Sequence, residues 1–452
     1  MFSPSALHQQ LERLAVPADA QICVACSGGL DSTVLLHAMA RLRAEARNYR
    51  LRAVHIDHGL HADSSAWRAH CEHQARSLQV ELISRAVSVE RIDEIGLEAA
   101  ARAARYEALS HIVRDGEYLL SAHHADDQLE TLLLALMRGA GLPGLSAMPS
   151  IQPFANGKLA RPLLAFTRAD LEQWARAEQL TWLSDPANDN LALDRNLLRQ
   201  KILPSLRQRW PAAAHTATRS TEHLQAANRA LDQLAVLDAG GALIGDSLDV
   251  ERLRMLDPDR RRNLLRYWIR GRGARAPSTR KLFAIEHDML EAGADRIPCM
   301  GWDGWEIRRH RELLYCERRL PQINLHQRLE WRATSPLTLP SGLGELRLVS
   351  SVGSGVSAAR IGDALEVRFR AGGESIQPAG DAHHRKLKKL LQAAAILPWW
   401  RDRLPLVYAQ DRLLAVGDLW IESEFMARDG EPAYTLLWEH RPRIESPSRP
   451  AA

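Results

Sequence analysis

The chain has 452 residues, 46% of them hydrophobic and 25% charged, a globular composition that divides into roughly two to four domains and excludes collagen, mucin, coiled coil and disorder. Lys and Arg number 59 against 55 Asp and Glu, and the resulting +4 is too small for polyanion binding to be read from the total. No apolar run approaches the length of about 18 residues that a membrane-spanning helix needs, and five cysteines are too few, and odd in number, for a disulfide framework. The start, Met1-Phe2-Ser3-Pro4, lacks the basic-then-apolar plan of a signal peptide, so a reducing, cytoplasmic location is expected.

The first 200 residues alternate β-rich runs with helical patterns, the rhythm of a parallel sheet wound on both faces by helices. Strands are expected at residues 21–26, 51–56, 80–84 and 118–122, and helices at 32–47, 66–78, 96–114 and 126–138. In such folds ligands collect at the C-terminal ends of the strands. The first strand runs into Ser27-Gly28-Gly29-Leu30-Asp31-Ser32 and then a helix. Two glycines let the backbone pass close to a ligand with its amides aimed at it, Ser27 and Ser32 add hydroxyl donors, and Asp31 supplies an oxygen suited to Mg²⁺ beside a phosphate. A plain glycine turn with a capped helix is the structural alternative. No G-x-x-x-x-G-K-[ST] occurs, so this is not a Walker loop.

Two further clusters end later strands: His55-Ile56-Asp57-His58-Gly59-Leu60-His61, and His123-His124-Ala125-Asp126-Asp127-Gln128-Leu129-Glu130-Thr131. On residue chemistry alone they fit a Mn or Zn phosphoesterase centre as well as they fit helix capping by Asp126 with Asp127 and Glu130 in the first turn. Gly139-Ala140-Gly141-Leu142-Pro143-Gly144 matches G-x-G-x-x-G but follows a helix rather than a strand, so helix termination is the better reading.

Residues 211–292 turn mainly helical, with eleven Arg and Lys between Arg252 and Lys281, a candidate electrostatic footprint for nucleic acid. Beyond about residue 325 the pattern becomes β-like, with one cationic helix at 384–395 whose Leu387, Leu390 and Leu391 share a face. Three domains are expected: 1–210 catalytic, 211–325 helical and basic, and 326–452 a small α+β domain.

The Ser27–Ser32 loop resembles that of the pyrophosphate-loop ATPases, which cleave ATP between its α- and β-phosphates to adenylate an oxygen. Within that group the chain looks like the tRNA(Ile)-lysidine synthetases. The likeness rests on residues 27–32 and 55–60, Ala101-Arg102-Ala103-Ala104-Arg105-Tyr106, residues 124–131, Arg161-Pro162-Leu163, Trp182-Leu183-Ser184-Asp185-Pro186-Ala187-Asn188 with Arg195-Asn196 and Arg199, and Lys386–Leu391 with Pro398-Trp399-Trp400-Arg401.

The resemblance implies a parallel, doubly wound α/β domain of the adenine nucleotide alpha-hydrolase type, followed by a helical domain and a small α+β domain. It implies a two-step ligation at the wobble cytidine of an isoleucine tRNA with a CAU anticodon. ATP adenylates the C2 oxygen of the base, then the amine of free lysine displaces AMP to give lysidine, and codon reading changes from AUG to AUA. Ser27 to Ser32 with His55 and Asp57 would hold the nucleotide, and Mg²⁺ would bind Asp31 and Asp127. Asp126 or Asp127 would orient the lysine ammonium or take its proton, and Arg105, which shares a helix face with Arg102 and Tyr106, would face the cleft. Glu130, Asn188, Arg195 and Arg199 would contact substrate. Arg261, Arg262, Arg385, Lys386 and Lys389 would meet tRNA phosphates, while Trp399 and Trp400 read slightly better as core. No membrane partner is implied, and a homodimer is compatible with it.

The nearest rival is a tRNA cytidine thiolase on the same loop. Cys23-Val24-Ala25-Cys26 matches C-x-x-C, but residues three apart on a strand point to opposite faces and cannot close on one atom.

Overall fold

The computed structural model describes residues 1–45, 48–59, 64–90, 96–184, 190–293, 296–362 and 364–447. Asn188 lies outside the described residues. The chain forms two compact units, 1–231 and 232–452.

In the first unit, helix α1 (Pro4–Arg13) starts with Pro at its first turn and Ser3 accepting the Ala6 amide at 3.1 Å, a side-chain N-cap. There follow β1 (Gln21–Ala25), α2 (Leu30–Ala44), β2 (Arg50–Asp57), α3 (Ser64–Ser77), β3 (Glu81–Ala86), α4 (Leu97–Ile112), β4 (Tyr118–Leu120) and α5 (Ala125–Met137). The hairpin β5 (Ile151–Phe154) and β6 (Gly157–Ala160), then α6 (Arg168–Ala177), complete the layer. The sheet runs β3-β2-β1-β4-β6-β5, parallel except for β5.

Both faces of this sheet are covered, which is why its strands read as apolar runs. Ile22 and Val24 point into a core with α1, α2 and α6, whereas Cys23 points into the opposite core with Leu109 and Val113 of the α4 region. The expected order of strands and helices is found, and the structure adds the β5–β6 edge. The G-x-G-x-x-G match begins at the end of α5, where Gly139 (φ +63°) terminates the helix.

From β1 the sheet grows one way to β2 and β3, then the chain returns to place β4 on the other side of β1. That reversal is a topological switch point, and a crevice opens there beyond the strand ends. The loops after β1 and β4 both border it. A helical run over 194–209, with a π-helical turn at Leu198–Ile202, follows α6, and α7 (Ala213–Ala239) leads out of the first unit.

The second unit begins with β7 (Leu243–Ile244), β8 (Ser247–Asp249) and helices α8 (Val250–Met255), α9 (Pro258–Gly271) and α10 (Thr279–Glu291). The structure adds an antiparallel sheet to this region, β7-β8-β11-β10-β9, through β9 (Cys299–Trp302), β10 (Trp305–His310) and β11 (Leu313–Arg318). Beyond it, a five-stranded and a four-stranded antiparallel sheet share one core with the short helix α11 (Leu387–Ala393). The cationic helix expected at 384–395 is shorter than its pattern, because Arg385 and Lys386 pair as a strand with Ser375 and Ile376. Leu387, Leu390 and Leu391 are buried as their spacing predicts.

Candidate active site

The crevice is a cleft of about 670 Å³ in the first unit, lined by the loop after β1, the end of β2, α4 and the loop after β4. The loop is braced from within. Ser32 Oγ accepts the Ser27 amide at 3.1 Å and donates to the Gly29 carbonyl at 3.1 Å. Gly28 has φ +80°, a conformation that disfavours any side chain, and a Cβ there would meet the Cys71 sulfur at 3.2 Å. Its carbonyl accepts the Leu183 amide at 2.9 Å, tying residues 182–184 to the cleft. Gly29 is the N-cap of α2 and makes no side-chain cap bond, so the first-turn amides of a 15-residue helix open toward the cleft.

Asp31 stands in that first turn. Its Oδ2 lies 3.6 Å from His124 Nε2, while Oδ1 is buried without a hydrogen-bond partner among the described residues. His124 caps α5, is 1% exposed, and has its Nε2 also 3.4 Å from Asp127. Burial favours the neutral ring, but Asp127, Asp31 and Asp126 outweigh it and raise the His124 pKa to about 9. The Asp127 amide approaches His124 Nδ1 at 3.4 Å, a contact that needs that nitrogen unprotonated; it is long for an N–H bond, and the carboxylates decide the charge.

Adjacent Asp126 and Asp127 have different surroundings. Asp127 lines the cleft, with Oδ2 accepting the His124 amide at 3.0 Å and Oδ1 accepting from Arg199 at 2.8 Å. Burial alone would raise its pKa; His124, His123 and Arg199 hold it below the ordinary carboxylate range. Asp126 does not line the cleft: Oδ1 accepts from Arg207 and Oδ2 from the Arg168 amide, both at 2.7 Å. Glu130, 1% exposed, is held bidentately by Arg199 at 2.7 and 2.9 Å. Arg199 stands in the π-helical turn, a local widening often found at working sites.

On the other wall, Arg105 of α4 stacks beside Tyr106, which Arg102 covers at 4.9 Å. Burial, with repulsion from Arg102 and Arg195, lowers the Arg105 pKa against the help of Tyr106. Among the described residues no carboxylate pairs with Arg105. His55 Nδ1 donates to the Cys26 carbonyl at 2.9 Å, and Asp57 Oδ1 accepts the Gly59 amide at 2.9 Å. Both residues line the cleft.

The cleft thus gathers Ser27, Gly29, Leu30, Asp31 and Ser32 with His55, Asp57, Arg105, Asp127 and Arg199. Arg195 is half-buried beside it, outside the lining. Gly28, Asp126 and Glu130 also stand outside the lining, and the other described candidates belong to the second unit. Arg261 and Arg262 are braced there by Glu286 at 3.0 and 2.8 Å, whereas Arg385, Lys386 and Lys389 are exposed. Trp399 packs edge-on against Tyr315 and Trp400 is buried, the core reading. In the sequence His124 reads only as part of a possible metal cluster and not for a role between Asp31 and Asp127; its position just before the Asp126-Asp127 helix start is the signal. No three His, Cys, Asp or Glu converge to hold a metal ion among the described residues.

A doubly wound sheet with a glycine-serine anion cradle at its switch point, facing paired carboxylates, defines an adenine-nucleotide-using enzyme of the pyrophosphate-loop class. The PP-loop domain family matches residues 4–206, the TilS substrate binding domain 248–315, and the TilS substrate C-terminal domain 365–438. The tRNA(Ile)-lysidine synthase of Alkalilimnicola ehrlichii is 43% identical over 97% of both chains, and that of Coxiella burnetii 39% identical over 95% of both. The chain belongs to the tRNA(Ile)-lysidine synthase family. A solved U34-tRNA thiolase from Methanococcus maripaludis, at 16% identity and TM-score 0.43, covers 49% of this chain and 76% of its own. Cys23 and Cys26 face opposite cores, as strand geometry requires, so they do not form the sulfur site a thiolase would use.

Proposed function

We propose that this chain uses ATP to join free lysine to C2 of the wobble cytidine in an isoleucine tRNA with a CAU anticodon, forming lysidine and releasing pyrophosphate and AMP. The observation that carries this reading is the cradle after β1 facing Asp31 and Asp127 in one cleft, within a chain akin to these synthases over nearly its whole length.

In the first step the amides of the loop and of the α2 start, with the Ser27 and Ser32 hydroxyls, stabilise the charge that develops as pyrophosphate leaves. Asp31 Oδ1, buried and unpartnered among the described residues, is a hard oxygen of the kind Mg²⁺ takes together with substrate phosphates, and Asp127 stands across His124 from it. Bound there, Mg²⁺ would supply charge neutralisation beside the phosphates. Holding the cytidine oxygen in line with the α-phosphorus supplies much of the remaining acceleration. Arg105, without a carboxylate partner among the described residues, suits a phosphate or carboxylate of the substrates.

In the second step the attacking amine must lose a proton. Asp127, ionised and cleft-facing, is the better acceptor, because both oxygens of Asp126 are engaged away from the cleft. Glu130 acts through Arg199, fixing it against Asp127. Asn188 and Arg195 remain candidate substrate contacts. In the second unit the exposed Lys386 and Lys389, with Arg385, suit tRNA phosphates, whereas Arg261 and Arg262 spend their donors on Glu286. This reading implies a cytoplasmic enzyme working on its tRNA and is compatible with a homodimer.

The test incubates the protein with ATP, Mg²⁺, labelled lysine and an isoleucine tRNA transcript. Label should enter the tRNA only when the wobble base is cytidine, with stoichiometric pyrophosphate. Incorporation into a uridine-34 transcript, or none into the cytidine-34 transcript, refutes the reading.

A further inference from the structure

Behind the loop lie two thiols that the chemistry above does not use. Cys26 follows β1 directly and precedes the loop; Cys71 belongs to α3. Both are buried, and their sulfurs stand 3.8 Å apart, the Cys26 thiol and the Cys71 thiol in hydrogen-bonding contact. His55 Nδ1 lies 3.6 Å from the Cys71 sulfur. Cys26, 3% exposed, also borders the nucleotide cleft, the side from which a small oxidant would approach it.

The two sulfurs differ in acidity. Contact with the Cys71 thiol lowers the Cys26 pKa, and against the effect of burial the neighbouring Gly28 and Ser32 lower it further. The Cys71 thiol is pushed the other way by the same contact and by burial. Cys26 borders the cleft whereas Cys71 is fully buried and outside its lining, so Cys26 is the thiol that meets the oxidant and Cys71 the resolving partner. The other thiols lack such a partner: burial pushes Cys23 to about 12 on the opposite face of the sheet, and Cys299 and Cys316 belong to the second unit.

We propose that Cys26 and Cys71 form a modification site, a thiol pair that hydroperoxides convert reversibly to a disulfide and that takes the phosphate cradle out of use when oxidised. The Cys26 thiolate attacks one oxygen of hydrogen peroxide, the O–O bond breaks, and hydroxide leaves to be protonated to water, giving Cys26 sulfenic acid. The Cys71 sulfur then attacks the Cys26 sulfur, and the hydroxyl leaves with the Cys71 proton as a second water. Two thiols are oxidised, one peroxide is reduced, and a dithiol reductant reverses the change.

The coupling to the loop is steric and electrostatic. An S–S bond of about 2.05 Å must replace the 3.8 Å contact, drawing the end of β1 toward α3. Space for that movement is lacking beside Gly28, where even an added Cβ would lie 3.2 Å from the Cys71 sulfur and 3.4 Å from the Trp67 ring. Gly28 and Ser32, whose polar groups influence the Cys26 thiol, belong to the cradle itself. Bound phosphates would disfavour the Cys26 thiolate by like charge and slow its oxidation. The effect on nucleotide rests on the reading of the loop as an ATP cradle; the crosslink does not.

The full-length chain is reduced, exposed to hydrogen peroxide with and without ATP and Mg²⁺, and mapped by non-reducing peptide mass spectrometry. A Cys26–Cys71 linked peptide is expected, removed by dithiothreitol, and formed severalfold more slowly with ATP. Oxidation should weaken ATP binding at least tenfold, and dithiothreitol should restore it. Cys71→Ser, with Cys71→Ala as a second variant, should bind ATP normally when reduced and yield no linked peptide. Absence of the link in the parent chain, or a link through Cys299 instead, overturns the site. A Cys26–Cys71 link that leaves ATP binding unchanged overturns the inactivation. Reduced protein that binds no ATP refutes the reading of the loop instead, and the linked peptide still reports on the thiol pair.

Discussion

Replacing Asp127 and, separately, Asp126 by Asn divides chemistry from architecture at the start of α5. In Asp127→Asn the side-chain oxygen can still accept the His124 amide, now accepted at 3.0 Å, so the helix cap survives. What disappears is the charge facing Arg199 at 2.8 Å and His124 at 3.4 Å, the charge available to a cation in the cleft. Loss of one such group costs about 10²- to 10³-fold in turnover, or about 3–4 kcal/mol of barrier, beside a stability loss, because Asp127 is the first of the charges that raise the His124 pKa. Asp126→Asn removes a charge that answers Arg207 outside the cleft lining. Because Arg207 is 41% exposed, the low end of the range for a broken ion pair applies, about 2 kcal/mol, which lowers the melting temperature of a unit this size by about 4–8 °C. Pyrophosphate release with ATP and tRNA, tRNA binding by filter retention, and thermal unfolding measure the three quantities. Turnover of Asp127→Asn within threefold of the parent, or an inactive Asp126→Asn of unchanged melting temperature, refutes the division of roles.

Gly28→Ala strains a backbone held at φ +80° and presses a methyl toward the Cys71 sulfur, so the KM for ATP should rise about tenfold in steady-state kinetics while tRNA affinity holds. His124, raised to about 9 in the fold against an ordinary value of about 6.5, keeps a proton that the unfolded chain releases. Its contribution, on the order of a few kcal/mol, is complete below about pH 6.5 and lost as pH rises through about 9. Urea unfolding at pH 6 and pH 9.5 should show the fall, and His124→Gln should flatten it. Lys386→Ala with Lys389→Ala should weaken tRNA binding and reduce the slope of log K against log salt by about one to two, read by binding titrations. Arg261→Ala should instead lower the melting temperature, because its guanidinium bonds Glu286 and the carbonyls of Leu253 and Leu256, and leave the salt slope unchanged.

What could be read directly from the sequence was local. Ser27 to Ser32 is a contiguous cradle whose residue types follow from a strand-to-helix turn, and Ile22 and Val24 show the buried strand before it. The α5 start was equally legible in position, since Asp126 and Asp127 are first-turn acids, but not in division of labour. Which carboxylate faces the cleft depends on Arg207 and the Arg168 amide, 81 and 42 residues away in the chain. Arg199 reaches Glu130 across 69 residues, and Cys71 reaches Cys26 across 45, contacts that no periodicity encodes. The β5–β6 hairpin has strands of four residues, one interrupted by Pro153, too short for a clear alternation. The arginines of 252–281 look like one electrostatic face when counted along the chain. Folding assigns them individually, Arg260 to Asp238, Arg270 to Asp232 and Arg272 to Asp246, so much of that charge is already answered within the second unit.

The same accounting of charge orders events in the cleft. His124 lies between Asp31 and Asp127 and partly answers both, which lets two carboxylates share a buried wall before any substrate arrives. Asp31 Oδ1 is left without a partner among the described residues, so under the proposed function that wall would take a cation and a phosphate together more readily than a phosphate alone. Asp127 Oδ1 is already held by Arg199. A lysine amine brought to this carboxylate, as proposed, would have to displace or share that guanidinium, and Arg199 stands on the π-helical turn Leu198–Ile202, an irregular stretch of helix. Arg199→Lys, which keeps the charge but loses the bidentate grip on Glu130, should therefore change the KM for lysine severalfold and leave the KM for ATP within twofold. Equal changes in both constants would mean that Arg199 serves the cleft as a whole rather than the amine.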